Sequence, residues 1–171
     1  MLPVIVDVDD EEICQLPDAT NVISVLKRND RVCKIRIYNV PNSLLEELAT
    51  MTEPFPVLIE LELVSYKADP PILPDSFLGG SVPQLRSLDL WGIPFPAIGK
   101  LLLSTRDLVF PHLDFIPSSG FISPEAMVDI LSALTRLESL HLDFNIPPFL
   151  THEASQHPLA LTCVTPPLSP T

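Results

Sequence analysis

Basic residues, cysteines and long apolar runs are all in short supply in this chain. Lys and Arg total 10 against 22 Asp and Glu, a net charge of −12. That balance disfavours nucleic acid and anionic membranes as partners, because both reward clustered Lys and Arg. A basic protein partner remains compatible with it. The three cysteines, Cys14, Cys33 and Cys163, are an odd and scattered set. They fit neither a disulfide framework nor a C-x-x-C metal knuckle and read as reduced thiols of an intracellular protein, cytoplasmic or nuclear. No run approaches the roughly 18 apolar residues that signal a membrane-spanning helix. The opening Met1-Leu-Pro-Val-Ile-Val-Asp7 has no basic stretch, so no signal peptide is expected. An N-x-S/T acceptor is absent too. Enzyme signatures are equally missing. Gly79-Gly80 lacks the downstream Gly-Lys-Ser/Thr of a phosphate loop, and neither G-x-S-x-G nor H-E-x-x-H occurs. The expectation is a non-enzymatic chain with no catalytic residue, no resident metal and no cofactor.

What the chain does contain is recurrence. The pattern L-x-x-L-x-L begins at Val32, Leu58, Leu85, Leu108 and Leu137, and the last copy closes on Asn145. Successive starts lie 26, 27, 23 and 29 residues apart. These spacings match the roughly 20–29 residues of a leucine-rich repeat. Several of the 20 prolines follow the repeat strands, namely Pro41, Pro94, Pro117 and Pro147, where proline ends a strand and sets a turn. The expected fold is α/β: a leucine-rich repeat solenoid of about five repeats. A short curved parallel sheet would line its concave side, with helices and turns on the convex side. Its 171 residues suffice for one such core. One unit cannot bury its apolar face alone, but stacked units share a core.

Three regions follow. Residues 1–31 form an acidic N-terminal segment with a short strand over 2–8, the cluster Asp7 to Glu12, and a helix from Asn21 to Arg28 with Val22, Val25 and Leu26 on one face. Residues 32–146 form the repeat array, and 147–171 a Pro-rich tail expected to be disordered. Within the array, Ser43-Leu-Leu-Glu46 reads as a capping box opening a helix to Met51. Leu73 to Gly80 allows only a turn or two of helix, and Pro96 to Ser104 reads as helical. Ser123-Pro-Glu125 gives an N-cap for a helix to Leu134 that turns Ala126, Ile130, Leu131 and Leu134 inward. Pro111 stands at an inward position, where it removes a ladder donor, so local distortion is expected there. A further strand starts at Leu161-Thr-Cys-Val164 and meets prolines, so the array reads as cut off. Thr165-Pro166 and Ser169-Pro170 offer proline-directed phosphorylation dipeptides.

Four strings, Leu73-Pro-Asp-Ser-Phe-Leu-Gly-Gly80, Pro83-Gln-Leu-Arg-Ser-Leu-Asp-Leu90, Gly92-Ile-Pro-Phe-Pro96 and Gly120-Phe-Ile-Ser-Pro-Glu-Ala-Met127, carry a resemblance. Together they resemble the leucine-rich repeat region of F-box-like proteins of mushroom-forming (basidiomycete) fungi, over about residues 20–146. The resemblance implies substrate recognition for a cullin-type ubiquitin ligase, in which the F-box binds an adaptor subunit and the repeats select the target. Residues 1–31 carry no recognisable F-box, only one helix and no L-P-x-E-[LI]-like opening. The chain thus also reads as a truncated gene product.

Alternation along each strand sends pattern positions 4 and 6 inward and 3, 5 and 7 outward. The central outward row is Arg36, Glu62, Asp89, His112 and His141. The row at position 3 is Lys34, Glu60, Ser87, Phe110 and Ser139, and the row at position 7 is Tyr38, Val64, Trp91, Asp114 and Asp143. Arg36, Tyr38, Glu60, Glu62, Asp89, Trp91, His112, Asp114, His141 and Asp143 are the candidate partner-binding residues. They grade from basic to acidic, with Tyr38 and Trp91 as aromatic anchors. Trp91 packed as ordinary core is the competing reading. Cys33 reads as a packed thiol. H-x-D at the same phase in two adjacent repeats (His112, Asp114; His141, Asp143) offers two imidazoles and two carboxylates, a ligand set that a metal-dependent hydrolase could use. Two solvated polar rows on an open sheet are the plainer alternative.

Overall fold

Strands form where the sequence alternates apolar and polar residues over five to seven positions. The structure, a computed structural model, describes residues 2–8, 20–144 and 163–164. In chain order the elements are β1 (Val4–Val8), α1 (Thr20–Leu26), β2 (Val32–Ile37), α2 (Asn42–Thr50), β3 (Glu60–Val64), β4 (Ser87–Trp91), α3 (Ile98–Ser104), β5 (Phe110–Ile116), α4 (Pro124–Ala133), β6 (Ser139–Phe144) and β7 (Cys163–Val164). Two 3₁₀ turns, Phe77–Gly80 and Ser118–Gly120, stand where β4 and β5 have their neighbouring connections. The architecture is α/β. Six strands, β1 to β6, lie parallel in the order of the chain. The segment at Cys163–Val164, expected as a further strand of the series, instead pairs antiparallel with β6. Among the described residues, no helix is long and apolar enough to cross a membrane.

The same chain phase repeats its backbone bonds from strand to strand. The N–H of Ile59 donates to Cys33 O (2.8 Å), Arg86 to Ile59 O (2.8 Å), Val109 to Arg86 O (2.9 Å) and Glu138 to Val109 O (3.1 Å). Side-chain register follows: Ile35 pairs with Leu61, Leu61 with Leu88 and Leu113 with Leu142. The inward residues Ile35, Ile37, Leu61, Leu63, Leu88, Leu90, Leu113, Leu140 and Leu142 are all buried. Each such side chain contributes about 1.5–3 kcal/mol by leaving water. The core continues into the connections through Leu44, Leu45 and Leu48 of α2, and Leu101 and Leu102 of α3.

Gly92 has φ +66 and sits so close to the preceding turn that a Cβ would lie 2.3 Å from Ser65 O. Its N–H donates to Asp114 O at 2.9 Å, tying the end of β4 to β5. Only glycine satisfies both the left-handed conformation and that approach.

Several local expectations are corrected. In α1, Val22, Ile23 and Leu26 are buried while Val25 is exposed, so Ile23 takes the inward place assigned to Val25. The capping box does not form: α2 starts two residues early, behind Pro41, with no side-chain cap. Ser43 therefore sits inside the first turn. Ser123 does cap α4, accepting from Ala126 N at 3.2 Å, with Pro124 in the first turn. On α4, Ile130 and Leu134 are buried and Leu131 half-buried, but Ala126 is exposed and Met127 packs on the core in its stead. The expected distortion at Pro111 is displaced. Pro111 is buried and paired in register with Leu88, and the irregularity lies between Leu113 and Ile116. There Asp114 and Phe115 stand against the single residue Asp143, a bulge, and Phe115 takes φ +51. The register with β6 begins only at His112–His141, one residue past the proline that lacks an N–H. The acidic run from Asp9 to Glu12, Cys14, Asn145, Pro147 and the Thr165 and Ser169 dipeptides lie outside the described residues.

Candidate functional site

Parallel pairing places the outward rows side by side on one face of the sheet. Arg36 pairs with Glu62, Glu62 with Asp89, Asp89 with His112 and His112 with His141, so the central row is continuous across five strands. The row at position 7 runs from Val64 to Trp91 to Asp114. Its continuation to Asp143 is broken by the bulge, which shifts β6 by one residue there.

The end nearest β2 is closed upon itself. Lys34 Nζ lies 2.8 Å from Glu60 Oε2. Arg36 donates to Glu60 through Nε at 2.5 Å, pairs with it again through Nη2, and reaches Glu62 at 3.6 Å and Asp7 at 4.0 Å. Tyr38 Oη donates to Glu62. Burial on its own would push the Glu60 carboxyl up, but the hydrogen bonds and charges of Lys34 and Arg36 outweigh it and hold the group below the usual range. Its hydrogen bond to Glu60, then the charge of that group, pushes the Arg36 guanidinium above its ordinary value. The bond to Glu62, with burial second, pushes the Tyr38 phenol up to about 12. The basic-to-acidic gradient expected along the face is therefore blunted, because its basic end is neutralised internally.

The centre is aromatic. Trp91 is half-buried, neither core nor free. It lies 4.5 Å from the ring of Phe115 in a tilted stack and 6.5 Å from Tyr66 edge-on. Tyr66 (63% exposed) and Phe115 (47% exposed) were not among the candidates drawn from the sequence. Phe115 reaches Trp91 through the bulge, which period-two alternation does not contain. Tyr66 follows the strand in a connection, beyond the last row.

The end nearest β6 brings together His112, Asp114 and His141. One ligand atom from each lies within 4.8 Å of the others. His112 Nδ1 is 3.0 Å from Asp89 Oδ2, and its Nε2 is 3.7 Å from Asp114 Oδ2. His141 Nε2 is 3.8 Å from Asp114 Oδ1. The two imidazoles meet edge to face at 4.5 Å. Asp114 is 8% exposed, more enclosed than an outward row predicts, and Oδ1 also accepts from Phe115 N at 3.0 Å. Asp143, the fourth member expected from the paired H-x-D, is not in the cluster; it faces Asp114 instead. Burial, followed by the charge of Asp114 and a hydrogen bond to it, holds the Asp143 carboxyl above its usual range. Asp89 takes the place expected of Asp143 as the second carboxylate beside the imidazoles. The cluster borders a shallow depression of about 460 Å³ lined also by Ser87, Phe110 and Ser139. Cys33 is half-buried, its Sγ 3.4 Å from Val4 O, away from this cluster.

No family model, no curated protein and no solved structure matches this chain.

Proposed function

We propose that the chain is a protein-binding module of the leucine-rich repeat type, a solenoid of about five repeats starting at Val32, Leu58, Leu85, Leu108 and Leu137, whose outward strand face holds the partner. The observation that carries this reading is the continuous in-register row from Arg36 to His141, crossed by the aromatic group Tyr66, Trp91 and Phe115. A broad open face with a central aromatic group and polar flanks suits a protein surface better than a small molecule, which is usually enclosed on most sides. The resemblance to fungal F-box-like proteins extends the reading to target selection for a cullin-type ubiquitin ligase, with the ligase contact made outside the residues described. The module is read as non-enzymatic.

The test is affinity capture from native extract with the full chain, beside Trp91→Ala and Asp89→Lys variants checked for folding by circular dichroism. A partner retained by the native chain and lost from both variants supports the reading. Truncating a central aromatic anchor typically costs at least ~2 kcal/mol of affinity, more than tenfold in Kd. A partner set unchanged by both substitutions sinks it. Cullin-type subunits among the captured proteins would carry the ligase extension, and their absence would remove it while leaving the binding module.

A further inference from the structure

We propose that His112, His141 and Asp114 form a binding site for a divalent transition-metal ion of the zinc class, with Asp89 as the residue that orients His112. The inference is independent of the protein-binding reading, since it concerns ligands supplied by this chain alone.

The argument starts from the gaps. Asp114 places one carboxylate oxygen 3.7 Å from His112 Nε2 and the other 3.8 Å from His141 Nε2. Both are too long for a hydrogen bond, which places N–H···O partners within about 2.7–3.2 Å. They are close to the separation of two ligand atoms sharing one tetrahedral ion. Zn–N and Zn–O bonds of about 2.0–2.2 Å leave neighbouring ligands roughly 3.3 Å apart. The ligand atoms lie within 4.8 Å of one another, so closing the site draws the widest pair together by up to about 1.5 Å, a movement that side-chain rotation can supply.

The proton arrangement points the same way. At 3.0 Å, Asp89 Oδ2 is within hydrogen-bond reach of His112 Nδ1, so a neutral ring donates Nδ1–H to Asp89. In that arrangement Nε2 is the nitrogen turned toward the Asp114 carboxylate, and a cation bound between the two would satisfy both. A carboxylate bonded to the far nitrogen of a ligating imidazole is also the usual device that sets the tautomer and aims the ring at a metal. His141 supplies the second imidazole from the adjacent strand, paired directly with His112 in the register. Two imidazoles and one carboxylate favour zinc, nickel or copper over magnesium or calcium, which prefer all-oxygen sets. The face is open on the solvent side, which leaves the remaining coordination positions to water or to a side chain of an incoming partner.

Isothermal titration of the full chain, stripped with chelator, with ZnCl₂ and separately with MgCl₂ tests the proposal. One equivalent of Zn²⁺ is expected to bind, with no Mg²⁺ binding, and to raise the Tm, because a ligand that binds the folded state stabilises it by mass action. His141→Ala and Asp114→Asn should abolish the one-equivalent site and the Tm shift. Asp89→Asn should weaken zinc roughly 10–100-fold while keeping the stoichiometry. His152→Ala/His157→Ala, which removes the other two histidines of the chain, should leave binding unchanged. Should His141→Ala fail to fold, His141→Gln with the same titration replaces it. No Zn²⁺ binding, equal Mg²⁺ binding, or zinc binding that survives loss of His112 and His141 overturns the proposal.

Discussion

The two ends of the outward face occupy the same register rows and have opposite chemistry. At β2 and β3, Lys34, Arg36 and Tyr38 are matched by Glu60 and Glu62, so each cation or donor has a carboxylate within reach. At β5 and β6, two imidazoles surround one enclosed carboxylate at distances beyond hydrogen bonding, and a second acid, Asp143, leans on the first. The backs of the two ends differ in the reverse sense. α2, behind the closed end, has no side-chain cap, whereas α4, behind the open end, is capped by Ser123. One scaffold thus carries a finished ionic cluster and an unfinished one, and the unfinished one is where a ligand would be gained. Shared burial beneath both ends is what allows the contrast, because the core does not depend on what stands above it.

That last point yields the largest predicted effect. Leu63→Ala beneath the closed end and Leu113→Ala beneath the open end remove side chains that are 0% and 3% exposed. Each should cost about 2–5 kcal/mol in urea unfolding, and by similar amounts. A much smaller loss at Leu113 would show that the open end is loosely packed as well as chemically unfinished.

Next in size is the difference in caps. Ser123→Ala should cost about 0.5–2 kcal/mol, because it strips the acceptor from Ala126 N. Ser43→Ala, at the site of the unformed capping box, should be close to neutral by the same measurement. Equal losses would mean that α2 is capped in solution after all.

The closed end also sets a predicted pH window, read by Tm against pH. Glu60 has its carboxyl lowered from 4.5 by Lys34 and Arg36, against the opposing effect of burial. Its stabilisation is complete above that unfolded value and is lost as pH falls through the depressed folded value. Tyr38 has its phenol raised from 10.0 to about 12, so its contribution is complete below 10.0 and is lost as pH rises towards 12. Glu60→Gln should flatten the acid limb and Tyr38→Phe the alkaline limb, each lowering Tm near neutrality by a few degrees at most. The Glu60 loss should shrink in high salt, since partly exposed ion pairs are screened.

The smallest effect belongs to the open end. In chelator, Asp143→Asn removes a carboxylate that burial and Asp114 disfavour, and should raise Tm slightly by scanning calorimetry. A fall instead would mean that Asp143 makes a favourable contact that outweighs its repulsion by Asp114.

Much of the face was legible in advance, for a definite reason. Successive side chains on a strand point to opposite sides, so once the five pattern starts are known, the rows Arg36–Glu62–Asp89–His112–His141 and Lys34–Glu60–Ser87–Phe110 follow. The misses occur where a one-residue change of phase intervenes. Phe115 joins Trp91, and Asp143 leaves the row, because the bulge inserts one residue into β5. Val25 and Ala126 were misassigned because helices of seven and ten residues turn through few periods, so a small rotation exchanges Val25 for Ile23 and Ala126 for Met127. Ser43 does not cap because Pro41, already extended, starts α2 two residues earlier.

What the sequence alone determined is which side chains are inward and which are outward along each strand, since both follow from local alternation and a regular period. Which side chains bond one another within and between those rows was decided only in the tertiary structure. Glu60 meeting Lys34 and Arg36, and Asp89 rather than Asp143 beside His112, depend on rotamers, neighbouring strands and the bulge at Asp114–Phe115. These contacts join residues more than twenty positions apart; the repeat period sets their strands side by side but does not fix which side chains bond.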